Sequence, residues 1–409
     1  MKVHIIGSGF SGLTSAFYLY KSGFEVEVFE LEKNSGGLIQ TIKTPWGLSE
    51  TAANGILNSV LLEDLCKDIG LTLGQPKKTS RRRFIFCQRP RQWPLGFRDT
   101  LVVLWRFIFK RNKLPKPYES VALWVTRLFG KAALKWLVSP ALHGIYAGDT
   151  EKMSATLIFT TLNSRERVKT QKYRGIVSPQ NGMGEVILKL QTYLQAQGVK
   201  FYFETKYELS KSLDHPIVIS TSVDGASGIL RAHYPEYAQK LSDIEVLPVI
   251  SVTLFYKKGA EALNGFGCLF PRETGFRVLG VLCNDKIFEN RSSGHSETWI
   301  YGGALDKTVI EKSDEEIIKL IKSERERLYH KVDEPLGFSI NRWNKALPHY
   351  TLELEKTLNE NWQDNLANNN IWLMGNYLGS LGLSQILVST SQLPEKIKIA
   401  SKKIQENLV

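Results

Sequence analysis

Cysteine is scarce in this 409-residue chain: Cys66, Cys87, Cys268 and Cys283 lie far apart, with no CxxC pair and no histidine close by. That spacing argues against a disulfide scaffold or a zinc site and fits a reducing cytoplasm. The seven histidines are scattered, and no Ser/His/Asp or Cys/His grouping stands out as a nucleophilic site. There is no run of about 18 apolar residues to span a bilayer. No basic, apolar and small-residue leader precedes the first strand, so no cleavable signal is expected. Repeats, low-complexity tracts and obvious linkers are also missing. The chain does carry charge of one sign in excess, +12 from 53 Lys and Arg against 41 Asp and Glu. The basic residues cluster at 77–91 and 106–116. Nucleic acid, an anionic membrane face or an anionic small substrate could each account for that excess, as could a solvated surface. The basic runs form no recognised nucleic-acid module, so no such partner is expected. At this length, two domains or one elaborated domain is expected.

The first forty residues carry the most chemistry. Residues 2–6 (KVHII) read as a buried strand, and Gly7-Ser8-Gly9-Phe10-Ser11-Gly12 follows directly. Leu13 to Ser22 places Leu13, Ala16, Phe17, Leu19 and Tyr20 at helical spacing, and residues 25–29 (EVEVF) alternate as a second strand. This strand–helix–strand unit gives GxGxxG its meaning. Gly7 permits the turn, Gly9 admits a pyrophosphate next to backbone, and Gly12 lets the helix pack on the sheet. Free N–H groups at the helix start would face the phosphates. Glu30 ends the second strand, placed to accept from ribose hydroxyls and to disfavour a 2′-phosphate. A second pair, Gly36-Gly37, fits another close approach of backbone to the cofactor, and the Met374-Gly375-Asn376 turn resembles the segment where two-dinucleotide-binding flavoproteins bring a second helix N-terminus to the flavin. Together they favour FAD over NAD. Tyr207, just past a strand at 199–205, is a candidate for the adenine end, or a plain strand-end tyrosine.

Further strands are expected at 216–221, 247–256, 276–283, 297–303 and 371–374, with helices at 57–70, 183–197, 314–330 and from about Leu381. Residues 97–138, rich in Leu, Trp, Phe and Arg, read as several helices of a separate lobe. The fold expected is α/β. It combines a Rossmann-like FAD-binding domain of the two-dinucleotide-binding flavoprotein type, a discontinuous α+β substrate domain and a helical lobe. The FAD-binding domain is assigned to 1–75, 175–240 and 355–409, the lobe to 76–174 and the substrate-binding sheet to 241–354.

Several segments resemble, in order, the protoporphyrinogen oxidase family within the FAD-containing amine oxidase superfamily. GGLIQTIKTPWGLSETAANGI (36–56) is similar to its GGxIxT…fElGpxgI segment, keeping Glu50, Gly55 and Ile56, with Ala52 for the usual glycine. RFIFCQRPRQWPLGFR (83–98), SPALHGIYAGDTEKMS (139–154), GFGCLFPRETGFRVLG (265–280), with Phe288 and Arg291 after it, and RWNKALPHY (342–350) also match. IWLMGNYLGSLGLSQIL (371–387) is similar to the closing flavin segment, although its G-V-x-v-x-D-C core is altered.

The resemblance implies FAD-dependent oxidation of a porphyrinogen, protoporphyrinogen IX or coproporphyrinogen III, in haem biosynthesis. Hydride would pass to flavin N5 and molecular oxygen would reoxidise the flavin. No dedicated acid–base side chain and no metal are implied. Arg98 matches the arginine that pairs with a substrate propionate; a surface arginine opening a helix is the alternative. Another FAD enzyme on the same scaffold, an amine oxidase or a UDP-sugar mutase, is the competing function. Leu95 to Phe109 is basic and aromatic, so it reads as a peripheral membrane patch or as a buried helix of the lobe, with the buried helix favoured. Trp343 and Pro348 are expected to pack the sheet near the pocket, and Cys268 and Cys283 to be inert core residues. The cytoplasm is expected, with contact at the inner face of the membrane left open.

Overall fold

Lys2–Ile6 (β1) forms the centre of a five-stranded parallel sheet, because its side chains, His4 and Lys2 apart, are apolar and buried on both faces. Phe10–Lys21 (α1) follows, then Glu25–Phe29 (β2), pairing Lys2 to Ile6 in register with Glu25 to Phe29. Across the sheet the order is Lys200–Tyr202, β2, β1, Ile217–Ile219, Ile371–Leu373. The computed structural model describes residues 1–409 apart from 110–112, 164–173, 212, 261–262, 332, 380–381 and 407–409.

On one face of this sheet, α1, Gly184–Ala196 and Leu383–Glu406 bury Leu13, Phe17, Leu190 and Leu387. The expected start of the last helix at Leu381 lies outside the described residues. On the other face, Val223–Leu230 and Pro235–Ser242 pack with part of the helical segment 121–159.

A second sheet has seven strands, in the order Gly337–Pro348, Val246–Tyr256, His295–Gly302, Gly280–Cys283, Gly267–Leu269, Arg83–Cys87, Arg89–Arg91. One face packs on the helix Asp314–Tyr329, which opens with a capping box between Ser313 and Glu316. The opposite face, carrying Ser251, Thr253, Thr298, Asn341 and Trp343 by strand alternation, turns toward the nucleotide-binding sheet.

Among the differences from the sequence expectations, three have a visible cause or extend a sheet. The strand expected at 276–283 begins only at Gly280, because the carboxylate of Glu324 accepts the N–H groups of Arg277 (2.6 Å) and Val278 (3.3 Å) in place of a ladder. Residues 83–91, expected within a helical lobe, extend the large sheet, with Arg83, Phe84 and Ile85 paired to Gly267, Cys268 and Leu269. Residues 41–50, not assigned to any element, form the hairpin Thr41–Thr44 and Gly47–Glu50.

Candidate cofactor and substrate site

The turn after β1 is built to admit a ligand at one glycine and to exclude side chains at two others. Gly7 has φ +95°, and a Cβ there would lie 2.9 Å from the Ser220 carbonyl oxygen. At Gly12 a Cβ would come within 1.9 Å of the Gly7 oxygen, so any side chain would drive α1 off the strand end. Gly9 is the opposite case: a Cβ there would meet nothing within 4 Å. The start of α1 has neither a side-chain cap nor an acidic residue in its first turn. Its first N–H groups therefore face that space with the positive end of the helix dipole.

The second glycine pair closes the other side. The Gly36 N–H donates to the Ser8 carbonyl (3.0 Å), Gly9 bridges Gly36, and a Cβ on Gly37 would stand 3.7 Å from the Gly9 Cα. The Ser35 hydroxyl, just before the pair, is buried with no hydrogen-bond partner among the described residues. Glu30 accepts from the Ser8 N–H (2.7 Å), the Ser8 hydroxyl (2.7 Å) and the Glu32 N–H (3.0 Å), which holds its carboxylate at the rim of the cradle. Glycine spacing gave no hint of the roles of Ser8 and Ser35; only the folded turn brings them in.

The third segment arrives from the last strand. Gly375 is extended (φ 174°), and a Cβ there would lie 2.5 Å from the Tyr377 ring. The Asn376 carbonyl accepts from the Tyr350 hydroxyl, so the end of RWNKALPHY pins this turn. In the same motif His349 accepts the Asp149 N–H at Nε2 (3.0 Å), which leaves Nδ1–H to donate to Glu245 (2.6 Å). Tyr207 spends its side chain on packing, with its hydroxyl 3.0 Å from His4 Nδ1 and its ring edge-on to Phe29.

Trp343 donates from Nε1 to the Thr51 carbonyl (2.8 Å), and Thr51 in turn donates to the Leu38 carbonyl (2.7 Å), one residue past Gly37. The polar face of the large sheet thus meets the glycine loop. Thr253 and Thr298 share a hydrogen bond (3.0 Å), and Asn284 Nδ2 donates to Thr298 (2.8 Å). Asn284 Oδ1, Ser296 Oγ and Asn341 Nδ2 have no partner among the described residues. No group of three or more His, Cys, Asp or Glu side chains is arranged to hold a metal ion among the described residues.

Arg98 is exposed in the first turn of Phe97–Phe109, without an ion-pair partner among the described residues. None of the side chains of that helix is buried, which overturns the favoured reading of a buried helix. Phe97, Trp105, Ile108 and Phe109 are each at least 60% exposed. No described helix is long and apolar enough to cross a membrane.

FAD fits this cradle: open space at Gly9, uncapped helix donors, a fixed carboxylate at the rim and a buried serine without a partner among the described residues converge there. Residues 10–380 match the family model of flavin containing amine oxidoreductases. The chain is 24% identical to the chloroplastic protoporphyrinogen oxidase of Nicotiana tabacum, over 96% of this chain and 84% of that one. It is 23% identical to the coproporphyrinogen III oxidase of Bacillus subtilis, over 88% and 89% of the two chains. A crystal structure from Exiguobacterium sp. 255-15, named as a candidate protoporphyrinogen oxidase, superposes with a TM-score of 0.79 at 18% identity over 97% and 98%, a likeness of fold alone. From the glycine cradle and a family match that spans most of its length, the chain belongs to the flavin containing amine oxidoreductases and is an FAD-dependent oxidoreductase.

Proposed function

We propose that this enzyme oxidises a porphyrinogen, protoporphyrinogen IX or coproporphyrinogen III, to the porphyrin. The observation that carries the reading is likeness along nearly the whole chain to two relatives that both bear the name of a porphyrinogen oxidase. FAD, when bound, supplies a hydride acceptor at N5, and molecular oxygen takes up the electrons; three two-electron steps complete the macrocycle. In the same proposal the nucleotide is held by Gly7, Gly9, Gly12, Glu30, Gly36 and Gly37. Tyr207 backbone lies at the adenine end, and Gly375 and Asn376 lie at the flavin end. Nucleotide binding falls to 1–75, 175–240 and 355–409, and substrate binding to the sheet of 241–354. Arg98, exposed and without an ion-pair partner among the described residues, grips a propionate through two parallel hydrogen bonds. His349 is held between the Asp149 N–H and Glu245, so its ring serves to fix the end of this motif.

A peripheral membrane contact belongs to the same reading. The bare helix Phe97–Phe109 offers apolar side chains, and exposed Arg81, Arg82, Arg83, Arg89 and Arg91 on the neighbouring hairpin segment add positive charge. Apolar insertion plus attraction to anionic lipid is what interfacial binding requires. An apolar substrate would be met at the bilayer surface.

The test of function is direct. Yellow, purified protein is mixed in air with each porphyrinogen, and porphyrin fluorescence and hydrogen peroxide are followed. Fluorescence should rise faster than in an enzyme-free control. FAD-loaded protein that oxidises neither porphyrinogen above that control would refute the reading.

A further inference from the structure

A buried ion pair sits between the nucleotide cradle and the large sheet, and the assignments above do not use it. Glu50 and Arg291 are 4% and 3% exposed. Arg291 Nη1 donates to Glu50 Oε1 at 2.9 Å, and its Nη2 reaches the Ser178 hydroxyl (2.5 Å) and the Pro179 carbonyl (3.3 Å). Glu50 also accepts from the Met183 N–H (3.0 Å) and the Thr41 hydroxyl (2.7 Å). Burial pushes the Glu50 carboxyl above the usual range and the Arg291 guanidinium below its own, so both charges stand there at a cost.

What the pair holds is close to the cofactor. Thr41 and Glu50 are paired across the hairpin that follows Gly36-Gly37. The next residue, Thr51, hydrogen-bonds to the Leu38 carbonyl and receives Trp343. The Arg291 carbonyl accepts the Leu48 N–H (2.9 Å), and a Cβ on Gly47 would lie 2.3 Å from that carbonyl, so the hairpin is seated tightly on the 291 loop. A continuous run of contacts therefore joins Arg291, outside the nucleotide-binding segments, to the Gly37–Gly9 cradle.

We propose that Glu50 and Arg291 form a positioning pair that holds the Gly36-Gly37 loop against Gly9, so that FAD affinity depends on the seating of the substrate sheet. Neither residue is placed in contact with cofactor or substrate. The inference rests on the FAD cradle and not on the identity of the oxidised substrate, so porphyrinogen turnover plays no part in its test.

FAD is removed and its rebinding to the apoprotein is titrated by quenching of flavin fluorescence, alongside apoprotein melting. The variants are Glu50→Gln, Arg291→Lys, Trp343→Phe and the double variant Glu50→Leu/Arg291→Leu. The double variant removes both buried charges, and its melting temperature should recover most of what Glu50→Gln loses. Its dissociation constant for FAD should nevertheless stay at least tenfold weaker than that of the unmodified protein. Recovery of FAD affinity together with stability would reduce the pair to charge balance and overturn the proposal. Trp343→Phe keeps the ion pair and removes a single hydrogen bond on Thr51, so it tests the same chain if the other variants do not fold. A several-fold loss of FAD affinity is expected, and an unchanged constant would overturn the proposal.

Discussion

Raising the pH from 6.5 to 8.5 should remove about 2 kcal/mol of folding stability through one side chain, His295. His295 is fully buried, with Nδ1 2.7 Å from Asp285 Oδ1 and Nε2 2.9 Å from Glu297 Oε1. Both ring nitrogens face carboxylate oxygens, so both carry protons. Burial alone would lower its pKa, but the hydrogen bonds and charges of Asp285 and Glu297 outweigh burial and push it up to about 9. The same contacts hold Asp285 down at about 2 against its own burial. Arg325 (3.1 Å) and Trp299 (3.0 Å) donate to the second oxygen of Glu297, so that carboxylate has partners at both oxygens. A pKa raised on folding stabilises the fold below the unfolded value near 6.5, and that stability drains away as pH climbs through about 9. The gap is worth about 3 kcal/mol in full, of which about 2 should be gone by pH 8.5. Urea unfolding followed by tryptophan fluorescence, at saturating FAD and at pH 6.5, 7.5 and 8.5, measures it. Thiols begin to ionise in the unfolded chain near the top of this range, so the comparison is with His295→Gln, which keeps the four cysteines. The unmodified protein should lose stability across the range and the variant should lose far less. Equal slopes in the two proteins would refute the assignment of a buried imidazolium.

The cradle makes two opposite demands on its glycines. Gly9→Val should leave the apoprotein melting temperature nearly unchanged while weakening FAD binding at least a hundredfold by fluorescence titration, because that side chain would fill open space. Gly12→Val should give no cooperative melt at all, since even a Cβ would overlap the Gly7 carbonyl. Glu30→Gln should weaken FAD by roughly ten- to a hundredfold, the range for losing charge-assisted hydrogen bonds. Arg98→Ala should raise KM for a porphyrinogen about tenfold with kcat nearly kept, read from initial rates of porphyrin fluorescence. Trp105→Asp with Ile108→Asp should abolish co-sedimentation with phosphatidylserine-containing vesicles without changing FAD content, and unchanged co-sedimentation would remove the membrane contact.

Local pattern was enough for the start of the nucleotide-binding sheet. KVHII, GSGFSG and EVEVF each specify their element through short-range rules: an apolar run, a glycine turn, an alternation. The strand at 371–373 and the long strand Val246–Tyr256, expected at 247–256, were legible for the same reason. Residues 83–91 were not, because their partner, Gly267–Leu269, lies far away in sequence and the arginines at both ends mask the alternation. The true start of the strand at Gly280 was equally hidden, since a glutamate on a separate helix takes the N–H groups before it.

Sequence alone pointed to nucleotide chemistry at the first turn, because the need for glycine beside a phosphate is a matter of a few bonded neighbours. It also named Glu50, Arg291 and Tyr350 as motif residues, but not what they do. Only the fold showed that Arg291 closes on Glu50, that Tyr350 holds Asn376, and that the helix Phe97–Phe109 faces outward. Each of these depends on which distant surfaces meet, and burial is a property of the packed whole that a local stretch of residues does not encode.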